Sequence, residues 1–254
     1  MPVSCVAARS ALAVGSVGAL GLGYAALVER QLFTLRRVDL PVLAPRSRPL
    51  RVLQFTDLHL TPGQRRKVDW VRSLADLRPD LVVNTGDNIA HPGAVATAMR
   101  AFEPFFDTPG VFVLGSNDYF SPAFKNPWFY LVDHKRNLGT SPRLPTDDLV
   151  RGFEAGGWRH LRNRRTRFPV RGVEVEFVGV DDPHLDYDRL DLVDGPPDPE
   201  AQLTMGVMHA PYQRVLDQFS ADGAGLLLAG HTHGGQLCLP GWGALVTNLS
   251  LIHI

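Results

Sequence analysis

The stretch LRVLQFTDLH, residues 50–59, joins a short apolar run to a carboxylate and an imidazole. The apolar part ends at Phe55, and Asp57 and His59 follow directly after it. Apolar runs of this length between polar residues are typical of buried β-strands. Further apolar runs, each followed by polar residues, occupy 81–84, 111–114, 173–180, 203–208 and 226–229. The chain therefore shows a series of predicted strands with polar residues at their carboxyl ends.

Helical patterns separate the first three runs. Residues 94–106 have apolar side chains at helical spacing, and so do residues 67–77, through Val68, Val71, Leu74, Ala75 and Leu77. Strands that alternate with helices predict an α/β fold with a largely parallel sheet in its first half. The carboxyl ends of such strands form the edge where open α/β sheets bind ligands.

Four polar clusters follow the predicted strands: Asp57-Leu58-His59, Gly86-Asp87-Asn88, His209-Ala210-Pro211 and Gly230-His231-Thr232-His233. Carboxylates and neutral imidazoles suit Zn, Mn or Fe, and D-x-H or H-x-H spacing in extended chain puts two ligands on one side. A lone histidine at a strand end is more often a hydrogen-bonded surface residue. The ordered series indicates a metal site, and without an H-E-x-x-H helix a metalloprotease is excluded.

The series resembles the calcineurin-like metallophosphoesterase superfamily, whose motifs D-x-H, G-D, G-N-H-[DE], H and G-H-x-H run in this order. The resemblance extends from Arg51 to Gln236 and includes the glycines of GHTHGGQ. With the apolar N-terminal run, this form is most similar to the membrane-associated branch that includes YkuE- and YaeI-type phosphoesterases. The resemblance implies two β-sheets packed face to face with helices outside, an α-β-β-α sandwich.

The resemblance also implies two divalent metal ions, Mn, Fe or Zn. It places one ion on Asp57, His59 and His233, the bridging role on Asp87, and the other ion on His209, His231 and an asparagine. The two ions carry four positive charges and the two carboxylates contribute two negative charges. The site would therefore keep a net positive charge that attracts a phosphate. Metals roughly 3.5 to 4 Å apart also lower the pKa of a bridging hydroxide and direct its attack on phosphorus.

The segment GSND, residues 115–118, departs from the family motif because it has no histidine. Without a gap, Ser116 takes the asparagine position. Shifted by one residue, Asn117 is the metal ligand and Asp118 takes the histidine position, and we favour this alignment because an amide oxygen is the better ligand. Asp118 can protonate a leaving group only if its pKa is raised. Hydrolysis of a phosphodiester or pyrophosphate with a stable leaving group is expected to be least affected by the missing histidine.

Three further residues are predicted to contact the substrate: His91, Asp182 and His184. His91 follows Asp87 closely, and Asp182 and His184 follow a predicted strand. A solvated loop residue beside Pro92 and a simple Asp-Pro turn are the alternatives. The arginines at 162, 164, 165 and 167 are expected either to bind an anionic headgroup or to form a solvent-exposed edge of the protein.

Residues 10–28 contain no charged side chain. As a helix they would be about 28 Å long, enough to cross a bilayer. Residues 1–30 are therefore predicted to be a single-pass anchor in the cell membrane, with a cleaved signal peptide or a buried helix as alternatives. Residues 31–49 are predicted to be a linker, and residues 50–254 the metallophosphoesterase domain. The arginines on both sides leave the membrane orientation open.

Two segments depart from the α/β pattern. The aromatic stretch 119–148 is predicted to be a lid, a membrane-facing patch or an Ω-like loop that packs its own aromatics. The chain ends at Ile254, soon after GHTHGGQ, so C-terminal strands of the second sheet are expected to be missing.

These features predict a membrane-anchored phosphoesterase that hydrolyses a phosphodiester or pyrophosphate bond, with a lipid-linked phosphate ester as one option. The alternative is a catalytically impaired scaffold that binds a protein partner. Acidic and basic residues balance at 26 each, so no nucleic-acid partner is predicted. No obligate protein partner is predicted, and Cys5 and Cys238 are not expected to form a disulfide.

Overall fold

The computed structural model describes residues 31–122 and 141–233 continuously. Outside these ranges it describes some positions between 15 and 28 and the strand backbones at 237–239 and 243–246. The chain forms two compact units, residues 1–40 and residues 41–254. Most of the predicted aromatic segment and the last apolar residues of the chain lie outside the described residues.

About half of the predicted anchor, residues 10–28, lies outside the described residues, and the described positions between 15 and 27 are helical. Within the part of the chain that is described, no helix combines the length and the apolar character that a bilayer crossing requires.

The first sheet is parallel and has the strand order β1-β2-β3-β4. Its strands are β1 Val52–Phe55, β2 Leu81–Asn84, β3 Gly110–Phe112 and β4 Arg159–His160. The α-helices of the described residues in the second unit are α1 Arg65–Ser73, α2 Val95–Phe102, α3 Ser116–Tyr119, α4 Thr146–Ala155 and α5 Gln213–Ala221. Short 3₁₀ turns cover Leu74–Leu77, Pro92–Ala94, Glu103–Phe105, Pro183–Leu185 and Leu190–Leu192. The helices predicted at 67–77 and 94–106 are confirmed, each ending in a 3₁₀ turn.

The second sheet has the order β5-β6-β7-β8, with strands β5 Arg164–Val170, β6 Val173–Gly179, β7 Leu203–Val207 and β8 Leu226–Leu228. The β5–β6 pair is antiparallel and the other two pairs are parallel. A separate antiparallel pair consists of β9 Leu237–Leu239 and β10 Gly243–Val246. The strands β4 and β5 were not predicted, because arginines interrupt the apolar pattern. An edge strand such as β5 tolerates both these charges and Pro169.

One apolar core joins the two sheets. It contains alternate residues of the first sheet, such as Leu81, Val83 and Val111, together with Phe177 and Val207 of the second. Val42, Leu43 and Leu50, which precede β1, also pack against this core. On the other side of the first sheet, aromatic rings of the helices and β3 pack around Phe102, Phe153 and Trp158. The predicted two-sheet α/β architecture is therefore confirmed, and the carboxyl ends of strands from both sheets meet at one edge.

Candidate metal centre

Six acidic and histidine side chains come together at this edge: Asp57 and His59 after β1, Asp87 after β2, His209 after β7, and His231 and His233 after β8. They form two groups, and within each group one ligand atom per residue lies within 4.8 Å of the others. The outer group is Asp57, His59 and His233, and the inner group is Asp87, His209 and His231. Residues far apart in sequence therefore meet at one edge of the fold.

The backbone is left-handed at five of these six positions. The φ angles are 53° at Asp57, 44° at His59, 56° at Asp87, 69° at His231 and 52° at His233. Such angles are uncommon for residues other than glycine, and they concentrate at functional sites, where the surrounding structure maintains them. The turns direct side chains from adjacent loops toward a common point. This feature cannot be read from the apolar periodicity of the sequence.

The outer group is partly exposed. His233 Nε2 lies 3.3 Å from Asp57 Oδ1 and 3.3 Å from His59 Nε2, and the two imidazoles stack with their centroids 5.2 Å apart. Among the described residues, Asp57 Oδ1 is buried and has no hydrogen-bond partner. The other oxygen, Oδ2, accepts hydrogen bonds from Thr56 Oγ1 and from the backbone N–H of His231. A cation fits this group because it would satisfy a buried carboxylate oxygen.

The inner group is buried and touches the outer one. His209 Nε2 lies 3.4 Å from Asp87 Oδ2 and 3.2 Å from His231 Nδ1. The other nitrogen of His209, Nδ1, is 2.8 Å from the carbonyl oxygen of Thr85, and this contact orients the ring. His59 Nε2 is 3.7 Å from Asp87 Oδ2, so Asp87 contacts both groups. A carboxylate in this position is suited to bridging two ions.

The electrostatics of the two groups are strongly coupled. Burial alone would raise the pKa of Asp87, but the charges of His209 and His59 and a hydrogen bond from Asn117 lower it well below its usual range. Burial alone would lower the pKa of His209, yet Asp87 raises it to about 10. Burial and the neighbouring His209 lower the pKa of His231 to about 3. His231 is thus neutral at pH 7, as a metal ligand must be, whereas His209 would release a proton on binding.

The GSND segment ends β3 and begins α3 beside the inner group. The backbone N–H of Asn117 donates to Asp87 Oδ1 and its side-chain Nδ2 donates to Asp87 Oδ2, both at 2.7 Å. Rotation of this amide by a half turn would present its oxygen to a cation held by Asp87. Ser116 is fully buried in the same turn. This geometry favours Asn117 over Ser116 as the ligand.

The Asp118 carboxyl accepts hydrogen bonds on both of its oxygens. Its Oδ1 accepts hydrogen bonds from the N–H groups of Asn88 and Ile89, at 2.8 and 3.2 Å. Its Oδ2 accepts from Gly115 N and Asn88 Nδ2, at 3.1 and 3.2 Å. Burial raises the pKa of Asp118 to about 7, and each of its oxygens already accepts two hydrogen bonds. These bonds hold the carboxyl to the loop after β2, and the role of Asp118 as a proton donor stays a prediction.

The three residues predicted to contact the substrate lie in different places. His91 is exposed, accepts a hydrogen bond from Gly93 N at 3.0 Å, and belongs to neither metal group. Asp182 is fully buried, and its Oδ1 accepts from His184 N at 3.0 Å. The His184 ring lies 4.7 Å from the ring of His231, and its Nδ1 is 3.0 Å from the Tyr212 hydroxyl. The structure therefore brings His184 to the inner group and leaves His91 outside.

Sequence reasoning missed several residues beside the site. The Tyr119 hydroxyl donates to Asp181 Oδ1 at 2.6 Å, and Arg162 Nε lies 2.7 Å from Asp181 Oδ2. The sequence indicated Arg162 as one of four arginines that could hold an anionic headgroup, but it did not predict the contacts of Asp181 with Arg162 and Tyr119. Two of those arginines form ion pairs on the second sheet: Arg165 with Glu176, and Arg167 with Glu174, Asp198 and Glu200.

Comparison with known proteins gives consistent matches. The family model for "Calcineurin-like phosphoesterase" matches residues 50–235. The "Uncharacterized protein YpbG" of Bacillus subtilis is 28% identical over 236 residues, which cover 89% of this chain and 80% of that protein. A bovine (Bos taurus) "Transmembrane protein with metallophosphoesterase domain" is 27% identical over 206 residues, covering 79% of this chain and 44% of the bovine protein.

Two solved structures also match, each with 14% sequence identity. The protein TT1561 of Thermus thermophilus gives a TM-score of 0.42, with 71% of this chain and 81% of that chain covered. The phosphopantetheinyl hydrolase PptH of Mycobacterium tuberculosis gives a TM-score of 0.43, with 73% of this chain and 84% of that chain covered.

Proposed function

The chain belongs to the calcineurin-like phosphoesterase family, and we propose that it hydrolyses a phosphodiester or pyrophosphate bond with two divalent metal ions. The observation that carries the proposal is the position of Asp87. Its Oδ2 lies 3.4 Å from His209 Nε2 and 3.7 Å from His59 Nε2, so one carboxylate contacts both metal-ligand groups. A carboxylate that lies between the two groups is in a position to bridge two ions.

Each of the two metal-ligand groups is proposed to bind one ion. The outer group of Asp57, His59 and His233 would hold one ion, and the inner group with Asn117 would hold the other, with Asp87 between them. Nitrogen and oxygen ligands of this kind suit Mn, Fe or Zn. When bound, the two ions would supply a nucleophilic hydroxide and stabilise charge on the phosphoryl group.

The surrounding residues favour a substrate with a good leaving group. GSND has no histidine, and the Asp118 carboxyl faces the loop after β2. Without general acid catalysis the rate for a poor leaving group falls by roughly 10²- to 10⁴-fold. His184, which lies against His231, is a side chain that could contact the phosphoryl group or the leaving group. A diester or anhydride therefore fits the site better than an alkyl phosphomonoester.

The proposed location is the cell membrane, with residues 10–28 as the anchor. The support is the uncharged run in the sequence, whose length matches a bilayer, and the likeness to a bovine protein that is named a transmembrane protein. An anchored enzyme would meet lipid-linked phosphate esters at the membrane surface, and these are the substrates that we propose.

The test is hydrolysis of bis-p-nitrophenyl phosphate against p-nitrophenyl phosphate by the full chain, loaded with Mn²⁺ or Zn²⁺. Bound metal is measured in parallel by inductively coupled plasma mass spectrometry. We expect metal-dependent turnover of the diester and its loss in Asp87→Asn. Asp69→Asn, the same change at an exposed position of α1, is the matched control and should retain turnover.

Two results would overturn the proposal. Full turnover by Asp87→Asn would show that the reaction does not need a bridging carboxylate at position 87. Two bound metals without hydrolysis of either ester would exclude a general diesterase and favour the scaffold alternative.

A further inference from the structure

A cationic side chain, Arg162, contacts Asp181, which lies in the loop after β6. Arg162 lies in the turn between β4 and β5, and its side chain is 57% exposed, whereas the side chain of its partner Asp181 is 1% exposed. The two are joined by a 2.7 Å contact between Nε and Oδ2. The buried carboxylate thus holds a guanidinium whose other end reaches solvent.

Asp181 is itself held from several sides. Its Oδ1 accepts hydrogen bonds from the Tyr119 hydroxyl at 2.6 Å and from Asp182 N at 2.9 Å. Its backbone N–H donates to Oδ1 of Asn163 at 3.0 Å, and the same Asn163 oxygen accepts from Arg189 N. Since Asn163 directly follows Arg162, two side chains of this turn contact Asp181. Pre-organisation of this kind lowers the entropy that a ligand must pay on binding.

These partners connect Arg162 to the metal-ligand groups. Tyr119 lies two residues after Asn117, whose side chain contacts Asp87. Asp182 lies two residues before His184, whose ring packs against His231. Through Asp181, Arg162 is therefore linked to the GSND turn and to the loop after β6, and both segments carry residues that contact the metal-ligand groups.

The guanidinium retains donors for a ligand. An arginine has five N–H donors in a planar fork that matches phosphate oxygens. Asp181 engages Nε, and among the described residues no second acidic group lies within 4.0 Å of Arg162. Arg165 and Arg167, by contrast, form ion pairs with Glu176 and Asp198, respectively.

From these contacts we infer that Arg162 forms an anion-binding subsite for a second phosphate group of the substrate, adjacent to the one that is cleaved. The inference rests on the proposed phosphoesterase function and narrows it to phosphate anhydrides, such as pyrophosphate-linked compounds. In the competing explanation, Arg162 only offsets the buried charge of Asp181.

The test compares two non-hydrolysable ligands that differ by one anionic group, methylenediphosphonate and methylphosphonate. Binding to the metal-loaded full chain is measured by isothermal titration calorimetry, and metal content is checked after each titration. We expect Arg162→Ala to weaken methylenediphosphonate binding about ten- to a hundredfold, the loss typical of charge-assisted hydrogen bonds. Methylphosphonate binding should change less than about threefold.

Two further variants complete the design. Arg164→Ala removes the same charge two residues away at an exposed position, and it should bind both ligands as the wild type does. Arg162→Gln retains an N–H donor for Asp181 without the charge and the fork, so it should show the same selective loss even if the alanine variant unfolds.

An equal loss for both ligands would overturn the inference, because Arg162 would then contact the metal-bound group itself. Unchanged binding in a folded Arg162 variant would overturn it too and leave only the charge-balancing role. Failure of the underlying function looks different. In that case the wild type hydrolyses no bis-p-nitrophenyl phosphate, whereas failure of the subsite alone leaves that hydrolysis intact.

Discussion

Gly115→Ala is expected to disable the inner group by a steric effect alone. Gly115 has a φ of −110°, which alanine also adopts, so the substitution causes no backbone strain. A Cβ at this position would lie 2.2 Å from Asp87 Oδ1 and 2.7 Å from Cε1 and Nε2 of His209. The variant therefore forces a methyl group between two proposed metal ligands.

The size of the effect follows from these distances. Cβ atoms essentially never approach another heavy atom to less than 3.0 Å, so Asp87 Oδ1 would have to move by about 0.8 Å. The same oxygen accepts a 2.7 Å hydrogen bond from Asn117 N, which opposes the movement. Metal–ligand distances vary by only about 0.2 Å, and a misplacement near 1 Å costs roughly a hundredfold in rate. We also expect overpacking to lower the free energy of unfolding by about 1–3 kcal/mol.

The assays are bound metal after dialysis, turnover of bis-p-nitrophenyl phosphate, and urea unfolding followed by circular dichroism. Gly225→Ala is the control, because its Cβ would meet only the flexible end of Leu203, at 3.2 Å, and Thr204 O, at 3.9 Å. Gly115→Ala should lose one metal ion and about a hundredfold in turnover, while the control retains both. A Gly115→Ala protein with two bound metals and wild-type turnover would refute the reasoning.

Three further expectations concern protonation and loop position. Zn²⁺ should bind the metal-free protein about tenfold more tightly for each unit rise in pH, because Asp87 keeps the pKa of His209 near 10 and binding releases this proton; a pH-independent Kd in calorimetric titrations would contradict this. Burial and nearby arginines lower the pKa of His160 from 6.5 to about 4, so between these values only the unfolded chain gains the proton. As the pH falls through this window, the free energy of unfolding should decrease by up to about 3 kcal/mol, and urea unfolding of His160→Phe should lack this part of the decrease. Asn163→Gly preserves a left-handed backbone with φ of 49° but removes three hydrogen bonds to residues 181–189; urea unfolding should show a loss of about 1.5–4 kcal/mol, and wild-type stability would show that these bonds contribute nothing.

Much of the fold could be predicted from local signals. β1, β2 and β3 were predicted from short apolar runs, and the helix at 67–77 was predicted from apolar side chains at helical spacing. Each of these patterns lies within about ten residues, so the spacing of side chains is enough to predict the element. β4 and β5 could not be predicted in this way. β5 lies at a sheet edge, where arginines find acidic partners and the apolar alternation is not required.

The sequence by itself determined which residue types reach the site and in what order, because each metal-ligand motif directly follows a strand. The tertiary structure decided what each side chain does there. Asp118 accepts hydrogen bonds from residues 29 and 30 positions away, and Arg162 meets Asp181 across two strands. Such pairings depend on left-handed turns and on how strand ends from two sheets converge. Local composition contains no record of them, since the energy that selects them arises only when distant segments pack together.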